Sequence, residues 1–107
     1  MDEHIENCVF CKIINKEIPS SIVYEDDKFF AFLDNNPKTE GHTMLIPKKH
    51  FRWMQDLPDN LLAEAFLKTK ELMIKIKEER KCELVKIMVF GKDVPHFHIH
   101  LIPQYKE

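Results

Sequence analysis

The densest chemistry in the chain lies at His96-Phe97-His98-Ile99-His100-Leu101-Ile102. Side chains alternate faces along a strand, so the three imidazoles point one way, about 7 Å apart. Phe97, Ile99 and Leu101 point the other way, into a core. An unperturbed pKa near ~6.5 lets members of such a row differ in protonation at neutral pH. A neutral imidazole can attack phosphorus as a nucleophile. Protonated neighbours can hold the phosphate oxygens. The same row could instead serve as a tridentate metal site. A merely solvated or tag-like tract fits less well, because apolar residues alternate cleanly with the histidines. His42, within Gly41-His42-Thr43-Met44-Leu45-Ile46-Pro47, adds a fourth imidazole on another strand. There it can orient one imidazole of the row and fix its tautomer.

Cysteine usage points to a second centre. Cys8 and Cys11 form a C-x-x-C, and Cys82 stands alone. In a reducing compartment such an odd set favours metal binding or redox chemistry over disulfides. Cys82 reads as a buried small hydrophobe. The only glycines, Gly41 and Gly91, are isolated. That excludes a P-loop and a G-x-G-x-x-G fingerprint, so any phosphate site must be built from side chains.

Bulk properties narrow the partners. Sixteen basic and eighteen acidic residues give a net charge of -2, which argues against binding long nucleic acid. Lys48, Lys49 and Arg52 form one basic cluster; the run from Lys68 to Lys81 is interleaved with Glu71, Glu78 and Glu79 and reads as a solvated helix face. No apolar run reaches membrane-spanning length. Met1 to Asn7 is acidic and polar, without a signal-peptide pattern, so a cytoplasmic location is expected; His4 in this stretch receives no role.

The elements that must position these residues can be read from periodicity. A short helix is expected from about Val9 to Glu17, ended by Pro19. Ile22–Glu25 and Phe29–Leu33 read as a hairpin about the Asp26-Asp27-Lys28 turn. His42–Ile46 is a third strand. A long helix is expected from about Leu57 to Arg80, with Asp56 as N-cap. Its apolar stripe comprises Leu61, Leu62, Ala65, Phe66, Thr69, Leu72, Met73 and Ile76. Leu84–Phe90 is a nearly continuous apolar run that suits a central strand covered on both faces. Phe97–Ile102 is the last strand. This order predicts one α+β domain over residues 1–107 with a mostly antiparallel sheet.

His96 to Ile102 matches, position by position, the His-φ-His-φ-His-φ-φ motif (φ apolar) of the histidine-triad (HIT) family of nucleotide-binding hydrolases and transferases. The chain resembles this family over nearly its whole length. Cys8 to Ile14 with Glu17-Ile18-Pro19, Ala31-Phe32-Leu33-Asp34, Gly41-His42 through Pro47-Lys48, and Val94-Pro95 all match its signatures. The C-x-x-C is similar to that of a Hint-like branch.

The resemblance implies a HIT-like fold: a five-stranded antiparallel sheet, one long helix and a short N-terminal helix. It implies that His98 attacks the α-phosphate and forms a nucleotidyl-histidine, that His100 contacts phosphate, and that His42 supports His98. His96 completes the triad. Asp34 would bond the ribose, and Val9, Phe10, Ile13, Phe32 and Leu45 would line a base pocket. A structural zinc would be held by Cys8, Cys11, His50 and His96. Family members of this size are usually homodimers, joined through the long helix and an adjacent strand. The expected substrate is a purine nucleoside phosphoramidate or a related nucleotide conjugate. The alternatives are a dinucleoside polyphosphate, or nucleotide binding in a zinc-containing module with little catalysis.

The chain departs from the family before the triad. The usual glycine-rich segment is replaced by Gly91-Lys92-Asp93-Val94-Pro95, with Lys92 where a glutamine is expected. Lys92 can hold phosphate as a point charge. The departure bears on leaving-group handling and substrate choice, not on the nucleophile.

Overall fold

The structure, a computed structural model, describes residues 8–91 and 94–106. A short helix, α1 (Val9–Ile14), precedes strands β1 (Ile22–Glu25), β2 (Phe29–Leu33) and β3 (Thr43–Pro47). A 3-10 turn at Met54–Asp56 leads to the long helix α2 (Asp59–Arg80), then β4 (Leu84–Met88) and β5 (Ile99–Gln104). The strands form one antiparallel five-stranded sheet in the order β1-β2-β3-β5-β4. The expected α+β architecture is therefore present.

Asp26 makes the β1–β2 turn: its Oδ1 accepts from the backbone N–H groups of Lys28 (2.8 Å) and Phe29 (2.7 Å). Side-chain alternation then divides the sheet into two faces. Ala31, Leu45, Phe97, Ile99 and Leu101 pack with Ala65, Leu72 and Ile76 of α2. Burying each of Leu45, Ile99 and Leu101 contributes about 2 kcal/mol. Phe30, Phe32, Met44 and Ile46 face the other way and pack with Phe10 and Ile13 of α1. Cys82 is buried on the α2 side, as expected for a small hydrophobe.

Several boundaries differ from the periodicity reading. The first helix stops at Ile14, not Glu17, because Lys16 adopts a left-handed φ of 65° and turns the chain back. The long helix starts at Asp59 with Pro58 at its N-cap, not at Leu57 with Asp56. Proline disfavours the α region for the residue before it, and Leu57 is extended at ψ 140°. Asp56 instead accepts the Trp53 backbone N–H at 3.1 Å. Phe66 falls off the buried stripe and is exposed. β4 is an edge strand, not a central one, and Leu84 on it is exposed. Among the described residues, no helix is long and apolar enough to cross a membrane.

Candidate functional site

His96, His98 and His100 share the sheet face opposite α2, although only His100 lies within β5. The His98 and His100 rings sit edge to face with centroids 4.8 Å apart. Their protons are assigned by what their Nδ1 atoms meet. His98 Nδ1 lies 2.7 Å from the His96 carbonyl oxygen, so it donates, and the neutral ring keeps its lone pair on Nε2.

His100 is the reverse case. The Lys38 backbone N–H donates to His42 Nδ1 at 3.1 Å, which places the proton of neutral His42 on Nε2. His42 Nε2–H then donates to His100 Nδ1 at 2.9 Å. The His100 proton is left on Nε2, a buried atom with no hydrogen-bond partner among the described residues. His42 therefore contacts His100 in this chain, rather than supporting His98 as the resemblance implied. Burial, reinforced by the charges of His98 and His42, pushes His100 down to about 4. Burial also lowers His42, opposed in part by Asp34, whose Oδ2 lies 3.6 Å from Nε2. A neutral Nε2–H on His100, not an imidazolium, thus faces the site at pH 7.

These groups form one wall of a cleft. Val9, Phe10, Ile13, Phe32 and Asp34 line it, with His42, His98 and His100. Leu45 does not; it points into the α2-side core, and Met44, one residue earlier, takes the place assigned to it. Asn36, Lys38, Phe90 and Val94 also line the cleft and were not anticipated. The Phe90 ring stacks on His100 at 5.0 Å with an interplanar angle of 11°. Phe90 precedes, and Val94 belongs to, the replaced segment before the triad, a signal that could have marked them. Lys92, with Asp93, lies outside the described residues.

A second centre adjoins the cleft. Donor atoms of Cys8, Cys11, His50 and His96 all lie within 4.8 Å of one another. Cys8 Sγ is 3.3 Å from His96 Nδ1, and Cys11 Sγ is 3.3 Å from His50 Nδ1 and 3.6 Å from His96 Nδ1. Tetrahedral metal–sulfur and metal–nitrogen bonds of about 2.3 and 2.0 Å separate S and N by about 3.5 Å, so the spacing fits. The His96 tautomer fits too. Its Nε2–H donates to the Pro47 carbonyl at 2.9 Å, which frees the Nδ1 lone pair for a metal. Burial pushes His96 down to about 4 and keeps that lone pair unprotonated at neutral pH. The group Asp34, His42 and His100 is also compact, but there both His42 nitrogens and His100 Nδ1 are committed to a hydrogen-bond chain.

Known proteins resemble this chain in sequence and fold. The HIT domain family model matches residues 15–107. An uncharacterized HIT-like protein of Methanocaldococcus jannaschii is 40% identical over 104 residues, covering 92% of this chain and 80% of its own length. The adenosine 5'-monophosphoramidase of Saccharomyces cerevisiae is 40% identical over 101 residues, covering 94% of this chain and 64% of its own. The crystal structure of a zinc-bound histidine-triad protein from Mycobacterium smegmatis superposes with a TM-score of 0.88 at 29% identity, covering 94% of this chain and 76% of that one. With a motif, a fold and a histidine row that all agree, the chain belongs to the HIT domain family.

Proposed function

We propose that this chain is a nucleotide-binding hydrolase or nucleotidyl transferase that acts on purine nucleoside phosphoramidates or related nucleotide conjugates. The observation that carries this reading is the pair of opposite tautomers on one cleft wall. His98 presents a lone pair on Nε2, and His100 presents a proton on the same atom. A phosphorus centre needs both, one group to attack and one to hold a phosphoryl oxygen. In the forward step His98 Nε2 bonds to the α-phosphorus and the P–N bond breaks. The departing amine takes the electron pair and a proton from solvent. Water then bonds to phosphorus and gives up a proton to solvent, and the P–Nε2 bond breaks with its pair returning to His98, which releases the nucleoside monophosphate. His42 acts through His100. Asp34 accepts from ribose hydroxyls, and Val9, Phe10, Ile13, Phe32 and Met44 enclose the base. The similarity to the yeast phosphoramidase supports this substrate class.

The metal of the second centre is zinc in this reading, held by Cys8, Cys11, His50 and His96. It supplies a structural cross-link. Residues 1–107 act as one domain, because this cross-link ties the N-terminal cysteines to the triad. The protein works in the cytoplasm as a homodimer.

His98→Ala should lower turnover of an adenosine phosphoramidate by more than about a thousandfold. AMP affinity should stay near that of the parent. Parental turnover in this variant would refute the mechanism. Tight AMP binding by the parent with no turnover across a substrate panel would instead favour a binding module.

A further inference from the structure

Phe90 borders the cleft beside His100, beyond the end of β4 at Met88, and Gly91 follows it in the chain. Gly91 has φ +63°, in the left-handed region. An added Cβ there would meet the Trp53 ring at 3.6 Å, an ordinary contact, so backbone conformation rather than crowding selects glycine. The pair is held by a side chain from the loop that follows β3. Arg52 Nη1–H donates to the Gly91 carbonyl at 2.8 Å. The same guanidinium lies 3.9 Å from the Trp53 ring centroid, a cation–π contact that fixes its plane. Phe90, one residue before Gly91, is 43% exposed and yet stacks flat on His100. An aromatic ring that exposed is not held by burial alone; its backbone must be anchored.

We propose that Arg52 is a positioning residue for the nucleotide site. By gripping Gly91 it keeps the Phe90 ring over His100, and so fixes the imidazole that meets phosphate. The inference rests on the nucleotide reading above and adds to it a residue that touches neither substrate nor metal. It also gives Gly91, where the replaced segment begins, its own support: an arginine clamp from a neighbouring loop.

Arginine is required by the geometry, because lysine offers a point charge without the planar fork. Arg52→Ala should raise the KM for an adenosine phosphoramidate and the Kd for AMP about fivefold. The kcat should fall as well, because His100 holds a phosphoryl oxygen during the reaction, but far less than in His98→Ala, because the nucleophile is untouched. Arg52→Lys should recover only part of the loss. Phe90→Ala should reproduce the Arg52→Ala effect, and the double variant should be no worse than either single one, because both act through one contact. A ligand-free readout accompanies the kinetics. The Phe90 ring current should displace the His100 ring-proton signals in the parent, and Arg52→Ala should abolish that displacement. Retention of the displacement in Arg52→Ala, or multiplying losses in the double variant, overturns the proposal. A parent that fails to bind AMP would overturn the nucleotide reading and the role given to Arg52 within it. The ring-current comparison tells that failure apart from a failure of the clamp itself.

Discussion

His98 and His100 are chemically identical side chains two residues apart, and their tautomers diverge because one Nδ1 meets a carbonyl and the other an N–H donor. The same surroundings have a consequence for pH. His100 is pushed down to about 4 by burial, with His98, His42 and Lys38 adding to the effect and Asp34 opposing it; His42 is lowered as well. In the unfolded chain both return to the ordinary value of 6.5. Between those values the unfolded chain binds more protons, so folding stability falls as pH drops from 6.5 toward 4 and is fully present above 6.5. Denaturant titrations across this range should show the loss, and His100→Gln should reduce it, with His96, also pushed down to about 4, supplying much of what remains. An unchanged pH slope in that variant would show that burial of His100 is not its source. The triad itself was legible in the sequence, since period-two alternation needs only the residues in order. The donors that set its tautomers were not. The Lys38 N–H reaches His42 through loop geometry that no periodicity encodes. Leu45 was misplaced for a related reason: moving one residue along a strand reverses the face.

At the scale of an element, α1 is the least self-sufficient piece. Six residues cannot sustain a helix in water alone. Two of them, Phe10 and Ile13, are buried against the sheet, while Cys8 and Cys11 face His50 and His96. A Lys16–Glu25–Lys48 ion network, at 3.1 and 2.8 Å, adds a surface tie of small worth. The same helix carries Val9, Phe10 and Ile13 into the cleft wall. Metal binding and nucleotide binding should therefore be coupled. Removing the metal with a chelator should weaken AMP binding about tenfold, and by reciprocity AMP should strengthen metal retention by the same factor. Calorimetry on metal-loaded and chelated protein measures this, and Cys8→Ser with Cys11→Ser should match the chelated form. Equal AMP affinities would mean that apolar packing alone holds α1. The C-x-x-C was legible as a metal or redox pair from its spacing, but its two histidines only through the resemblance, because His50 and His96 lie far from it in sequence and meet it through the fold.

At the scale of the whole molecule, apolar side chains are left exposed on the long helix and on the edge strand. Along α2, Leu67 and Ile74 are seven residues apart, on one side of the helix away from the core stripe, and are 61% and 50% exposed. Leu84 on the edge strand β4 is 48% exposed. The apolar run from Leu84 to Phe90 suggested a strand covered on both faces. It proved to be an edge strand within the monomer, because composition records that a surface is apolar without recording what covers it. A second copy of the chain is the occupant that the family resemblance implies. It would also enlarge a core that is modest for 107 residues. Sedimentation of the parent should then give twice the 12.8 kDa chain mass at micromolar concentration. Leu67→Lys combined with Ile74→Lys should yield monomer, since two like charges would be desolvated at the interface in each subunit. Neither residue lines the nucleotide cleft, so AMP affinity in the folded monomer should stay within about threefold of the parent. A parent that sediments as monomer, or a double variant that stays dimeric, would place the covering of this face elsewhere.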